Sequence, residues 1–371
     1  MGTNASNRKC EIDDVQETDE TLTGRAGLAP YVAYLKSCGL PDLLAEKFSD
    51  LRKSRKGLQL WEAFKQLLCF FMDGTNLSVS QFDELAEDEG YAGTIQTPQE
   101  DMASSHQIKR LLGKFDLSLF SRFRSLLRRM FRWRLRMEQP EVVLLNVDTM
   151  VMDNDDAHMR EGVEPTYKKV KGFQPLQFSW GPYVIDAILR GGSKHGNSGT
   201  TVASTLTRLV GLIRGVLGPS VPIIVLMDAG FMDEGIYGRL EELDVGYVGT
   251  GKLYEDVCTC ADNIPDEGWS PYTNGKVEWE ISFFGNRRGS WGRFRRLVYL
   301  QRACGEEGQR YLRGMRPETA IYTNLGMETK IGRMLQEAGR EDWTDPCRIA
   351  KLSHGRGADE LTWRAEKDFG T

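Results

Sequence analysis

Between residues 28 and 138 apolar side chains recur at helical spacing. Leu40, Leu44, Phe48 and Leu51 follow Pro41, which a first helical turn tolerates. Leu60, Phe64, Leu67, Leu68 and Phe71 form a second stripe, ended by Gly74. Ser80 with Asp83 and Ser104 with Gln107 have the spacing of helix-start caps. Phe120, Phe123, Leu127 and Met130 carry the period onward. At Pro140 the pattern changes. Val142–Val147, Leu176–Trp180 and Tyr183–Leu189 read as strands, the last two joined by a turn at Gly181-Pro182. Val202, Leu206, Leu209, Ile213 and Val216 mark a helix, Val221–Met227 a buried strand, Ile236, Leu240 and Leu243 a helix, and Val245–Val248 a strand. This order predicts a mixed α/β sheet with helices on its faces. Val277–Phe284, Leu297–Gln301 and Ala320–Tyr322 are further strand-like runs in a stretch rich in Gly, Arg and aromatics, and residues 356–369 return to helical spacing.

These patterns divide the chain into a polar, disordered tail (1–27), a helical domain (28–138), the first part of a mixed α/β unit (139–250), a β-rich insertion (251–349) and a closing helical segment (350–371). The longest clearly apolar run is far short of the ~20 residues of a membrane helix, and no apolar stretch follows the basic pair at the N-terminus. Seven scattered cysteines, an odd number, do not suggest a disulfide framework, and a reducing cytoplasmic setting fits them.

The net charge of −5 argues against a nucleic-acid partner, but its distribution argues for one. From His106 to Met137 ten basic residues, Arg128 and Arg132 among them, face one acid, and from Arg287 to Arg316 nine arginines face two. Both stretches carry aromatics. Arginine binds phosphate through a planar fork, and aromatic rings hold unstacked bases. The alternative for each stretch is a solvated helix face with its apolar side in the core. Trp291 is a candidate for stacking on an extruded base, weighed against a buried core tryptophan. The acids that balance the charge lie partly in the tail, between Glu11 and Glu20.

Asp148 and Asp228 each end an apolar strand, in LLNVDTM and IIVLMDAGF. Strand ends are where such sheets place catalytic groups. Two carboxylates side by side repel unless a cation compensates, and oxygen ligands suit a hard divalent ion such as magnesium. Glu360 is the candidate third acid. Arg356, Glu360, Arg364 and Lys367 form one stripe on the last helix, where cations would hold phosphates beside the acid. The structural alternative is a strand-terminal Asp that caps the next turn and a Glu in surface ion pairs. Other chemistries find less support: no phosphate-binding loop, dinucleotide fingerprint, nucleophile elbow or zinc pattern occurs, so no nucleotide cofactor is expected. Asp153-Asn154-Asp155-Asp156 opens like a calcium loop but lacks its later residues and reads as a solvated loop.

The order VDTM, Gly172–Leu176, MDAGF and RGADELTWRAEKDFG resembles the bacterial insertion-sequence transposases of the DDE class, in the group with a β-strand insertion before the glutamate. Arg356, Glu360 and Lys367 match the offsets of that group's glutamate pattern, while Ser353 stands where it has tyrosine and Ala229 where it has a small polar residue. The resemblance implies a ribonuclease-H-like core. It implies two Mg2+ ions, with Mn2+ as a substitute, held by Asp148, Asp228 and Glu360, and DNA phosphates held by Arg356, Lys367, Arg364, Arg128 and Arg132. It also implies double-stranded DNA partners (element ends and target) and a homodimer on DNA. Relatives usually continue past the position of Thr371, so a C-terminally truncated copy is one expectation. A metal-dependent nuclease of the same fold and a non-catalytic DNA-binding remnant are the alternatives.

Overall fold

The computed structural model describes residues 23–51, 57–76, 78–155, 162–194, 196, 199–273, 278–302, 304, 309, 311, 317–326 and 328–337. The chain divides into two compact units, residues 1–123 and 124–371. The first is helical: α1 (Leu28–Ser37), α2 (Leu40–Phe48), α3 (Leu60–Asp73), α4 (Gln81–Leu85), α5 (Glu89–Thr94), α6 (Ser105–Leu112) and the start of α7 (Leu117–Glu138). Its core packs Val32, Phe70, Phe82, Tyr91 and Ile108. Phe48, Phe64, Phe115 and Phe123 form a ring cluster. Gly74 ends α3 in the left-handed conformation, and Ser104 and Gln107 form the reciprocal cap that opens α6. Ser80 makes no side-chain cap at α4. Asp83 instead accepts from the amide and hydroxyl of Ser105, at 2.8 and 2.6 Å. Phe71 of the second apolar stripe is exposed. At the end of the polar tail, Arg25 pairs with Asp73 and Asp88.

The second unit is built on β1 (Val143–Thr149), β5 (Leu176–Trp180), β6 (Tyr183–Ile188), β7 (Ile223–Met227) and β8 (Gly246–Gly251). In the sheet these lie in the order β6-β5-β1-β7-β8. The β5–β6 hairpin runs antiparallel to β1, and β7 and β8 run parallel to it. Helix α8 (Thr201–Leu217) precedes β7, and α9 (Glu234–Glu242) carries the chain from β7 to β8. This is the ribonuclease-H-like core. Val143, Leu145, Val147, Ile223, Val225 and Met227 face the helices with Leu206, Leu209, Ile236 and Leu240. Ile224, Leu226 and Val248 face the other side, against Ile331 and Leu335 of α11 (Lys330–Glu337).

The strands after residue 251 extend this sheet. After α10 (Glu255–Asp262) come β9 (Ser270–Thr273), β10 (Glu278–Asn286), β11 (Arg295–Gln301) and β12 (Glu318–Thr323). β12 pairs with β8, then β11, β10 and β9 follow outward, giving nine strands among the described residues. A second small sheet orders β2 (Met152–Asp153), β4 (Lys171–Phe173) and β3 (Glu164–Pro165) just beyond β1. Gly172 is required at its centre: a Cβ there would collide with the Met152 carbonyl.

Candidate functional site

The site is assembled by strand register. Val147 of β1 pairs with Met227 of β7 in parallel, so the next residues on the two strands, Asp148 and Asp228, stand abreast. Adjacent strands run ~4.8 Å apart. Alternation along β1 buries Val143, Leu145 and Val147 against the helices and leaves Asp148 exposed. Asp148 is still in the sheet, opposite Gln177 of β5. Asp228 has left it and begins a 3-10 turn at Ala229–Phe231. The Oδ1 atom of Asp148 accepts from the amide of Thr149 at 2.7 Å, and that of Asp228 from the amide of Gly230 at 2.8 Å. The turn-capping role weighed for a strand-terminal Asp is thus present at Asp228. It is compatible with metal binding, because a carboxylate has several acceptor positions.

The surrounding loops are tightly set. A Cβ on Gly196 would lie 2.8 Å from the carbonyl oxygen of Gly230, so the chain after β6 passes close against the Asp228 turn. Arg190 donates to the carbonyls of Gln174 and Gly196, both at 3.2 Å, and burial lowers its pKa from the usual guanidinium range. On β3, Glu164 takes the hydroxyl and amide of Ser193, and these bonds hold its carboxyl below the ordinary range.

The donor set fits a hard cation in part. Asp148 and Asp228 bring only oxygen ligands, but among the described residues no three His, Cys, Asp or Glu side chains converge on one point. Glu360, Arg356, Arg364 and Lys367 lie outside the described residues, as does the helix predicted over 356–369.

The basic residues of α7 separate into two groups. Arg124 donates through Nε and Nη2 to Asp186 of β6 at 2.6 and 2.8 Å, and Arg128 lies 3.5 Å from the same carboxylate. Asp186 is fully buried. Arg134 stacks on Tyr183, 3.8 Å from the ring centroid, and Phe131 meets Trp180 edge-on at 5.7 Å. This inner face therefore seals the edge strand β6. Arg128, expected to hold DNA phosphate, is engaged with a protein carboxylate. Arg132 is exposed, on a face with Arg129, Arg136, Trp133 and Met137. Sequence reasoning missed Asp186; its signal was a lone acid inside the apolar run YVIDAIL.

Trp291 is 5% exposed and packs edge-on against Tyr237 and Tyr322, with centroids 5.8 and 5.0 Å away. It is a core tryptophan, the alternative already weighed, and its ring offers no face to an extruded base.

The sequence pattern of the transposase DDE domain group 1 family matches residues 6–329. The chain belongs to this family. The match covers Asp148 and Asp228 of this DDE-family chain and ends before Glu360. Members of the DDE transposase family generally use divalent metals. No curated protein sequence matches. Among solved structures, the chain is similar to a piggyBac transposase synaptic complex with hairpin DNA, at 13% identity and a TM-score of 0.37 over 83% of this chain and 63% of that one. It thus spans about 63% of that protein's length. A Mos1 transposase paired-end complex with the left transposon end matches at 11% identity and a TM-score of 0.19, over 61% of this chain and 78% of the other. A Mos1 mariner paired-end complex with Mn gives the same identity, TM-score and coverage. None of the described helices is long and apolar enough to cross a membrane.

Proposed function

We propose that this DDE-family chain is an insertion-sequence transposase that binds the terminal inverted repeats of its element and cuts and joins DNA strands. The observation that carries this reading is the pair Asp148 and Asp228, abreast at the ends of adjacent parallel strands. Asp148, Asp228 and Glu360 are the residues we assign to hold two magnesium ions, with manganese as a substitute. Bound there, the metal would stabilise charge on the attacking and leaving oxygens of an in-line phosphoryl displacement. Arg356, Arg364 and Lys367 hold phosphates beside the acids and offset their charge. The exposed face of Arg129, Arg132 and Arg136, flanked by Trp133, takes the duplex backbone. Arg128 supports that face through Asp186.

The test incubates the chain and magnesium with DNA carrying the flanking terminal repeats, and scores binding, nicking and joining separately. A transposase does all three. Cutting without joining identifies a nuclease of the same fold, and binding alone a non-catalytic remnant. Sedimentation of the protein–DNA complex tests the homodimer.

A further inference from the structure

The loop from β10 to β11 is more tightly built than a surface connection requires. The amide of Trp291 donates to the carbonyl of Arg288 at 2.9 Å, closing a turn that begins at Arg288. Trp291 itself is anchored in the core between Tyr237 and Tyr322, with the Arg295 guanidinium 5.1 Å from its ring centroid. Next to it, the amide of Gly292 donates to the Glu234 carboxylate at 2.6 Å. Glu234 opens α9, the helix that follows the Asp228 turn. The loop is thereby fixed to the element that leaves the carboxylate edge.

This anchoring holds Arg288 on Tyr254, its guanidinium carbon 3.9 Å from the ring centroid. Tyr254 lies just past the end of β8. β8 runs parallel to β7, with Gly249 level with Met227, so Tyr254 follows the same end of the sheet as Asp228. Stacking uses the flat face of a guanidinium and leaves the N–H donors of its rim in plane, directed away from the ring. Among the described residues no carboxylate makes an ion pair with Arg288. Its neighbours Arg287 and Arg293 are exposed. A fixed, partly buried guanidinium whose fork meets no carboxylate among the described residues is suited to a planar pair of anionic oxygens.

We infer that Arg288 is a phosphodiester-binding residue, which grips the backbone of a DNA strand reaching the Asp148–Asp228 edge, with Tyr254 as its platform and Trp291 as the anchor of its loop. This rests on the DNA-binding reading above. It gives the second arginine-rich stretch a role through its guanidinium, with the tryptophan acting from the core.

The experiment measures the affinity of the full chain for a short fluorescent DNA duplex across a potassium chloride series, with inorganic phosphate as a competitor. R288Q is expected to weaken binding about tenfold and to flatten the log–log salt slope by about 0.9, the loss of one phosphate contact. R288K, which keeps the charge but not the fork, falls between. Y254L, which keeps the arginine but removes its platform, weakens binding severalfold. Near-UV circular dichroism checks the fold, and if R288Q unfolds, R288K decides by the same measure. R288Q binding like the wild type, while the wild type shows steep salt dependence, overturns the assignment and leaves the DNA reading standing. A change in phosphate competition alone, with duplex affinity unaltered, also overturns it. A wild-type chain that does not bind duplex even at low salt fails the DNA reading, and the assignment with it.

Discussion

Asp228 stands one residue beyond the last register pair of β7 and level with Asp148 of β1, where it also caps the turn that follows through the amide of Gly230. The two roles separate by mutation. Asn accepts the same hydrogen bond as Asp but carries no charge. D228N is therefore expected to keep the wild-type melting temperature and lose magnesium-dependent cleavage. D228A should lose cleavage and also about 1 kcal/mol of stability. Thermal denaturation of both variants checks this; equal destabilisation by the two would show that the cap is not what the carboxylate contributes to folding.

The buried Asp186 with Arg124 is a structural lock. Arg124 and Arg128 both face the Asp186 carboxylate, so removing the acid leaves two guanidiniums without compensation, at a cost of about 3 kcal/mol, while removing Arg124 leaves Asp186 with Arg128. D186A should destabilise the chain by about that amount in urea unfolding, R124A by less, and the double variant by less than the sum of the two. Strict additivity would mean that the contact is not energetically coupled.

Arg132 should behave in the opposite way. It is exposed, and R132Q is expected to leave stability within about 0.5 kcal/mol of wild type. It should weaken duplex binding at every sequence and reduce the salt slope by about 0.9. Anisotropy titrations in a salt series provide the check; an unchanged slope would remove Arg132 from the DNA face.

Helix α6 carries a pH-dependent contact. Hydrogen bonds from the hydroxyl and amide of Ser105 lower the pKa of Asp83. A carboxyl depressed in the folded state contributes stability that is present above its unfolded value, about 3.9, and is lost as pH falls through the folded value. The stability difference between wild type and D83N should therefore narrow as pH falls below about 4, measured by denaturant unfolding at a series of pH values. A difference that stays constant across that range contradicts the assignment.

Much of the fold was legible in local pattern. The strands β1 and β7 announced themselves as apolar runs, and in each the run gives way to an aspartate because an unpaired carboxylate is costly to bury and is placed where the strand leaves the core. What eluded the sequence was of longer range. The pairing of β12 with β8 joins Thr323 to Val248, and nothing local shows that the arginine-rich segment continues the central sheet. In β6 the register shifts between Phe178 and Ser179 of its partner, which breaks the alternation and leaves Ile185 and Asp186 both buried. The helical spacing of Phe120 and Met130 in α7 was real, but both are exposed, and the inward positions are Leu119, Leu126, Phe131 and Leu135. β2, β3 and β4 are too short to show a period. Asp148 and Asp228 could be paired by inference from strand order alone; Arg288 could not, because its platform, Tyr254, is remote in sequence.

The proposed role of Asp148 and Asp228 as one cation-binding pair in DNA cleavage is open to a direct test. The most direct measurement is magnesium-dependent nicking of terminal-repeat DNA by the wild type, D148A and D228A, with duplex affinity measured on the same preparations. Cleavage by the wild type, its loss in both variants, and nearly unchanged duplex affinity in each are expected. Wild-type rates of nicking by either variant would contradict that role.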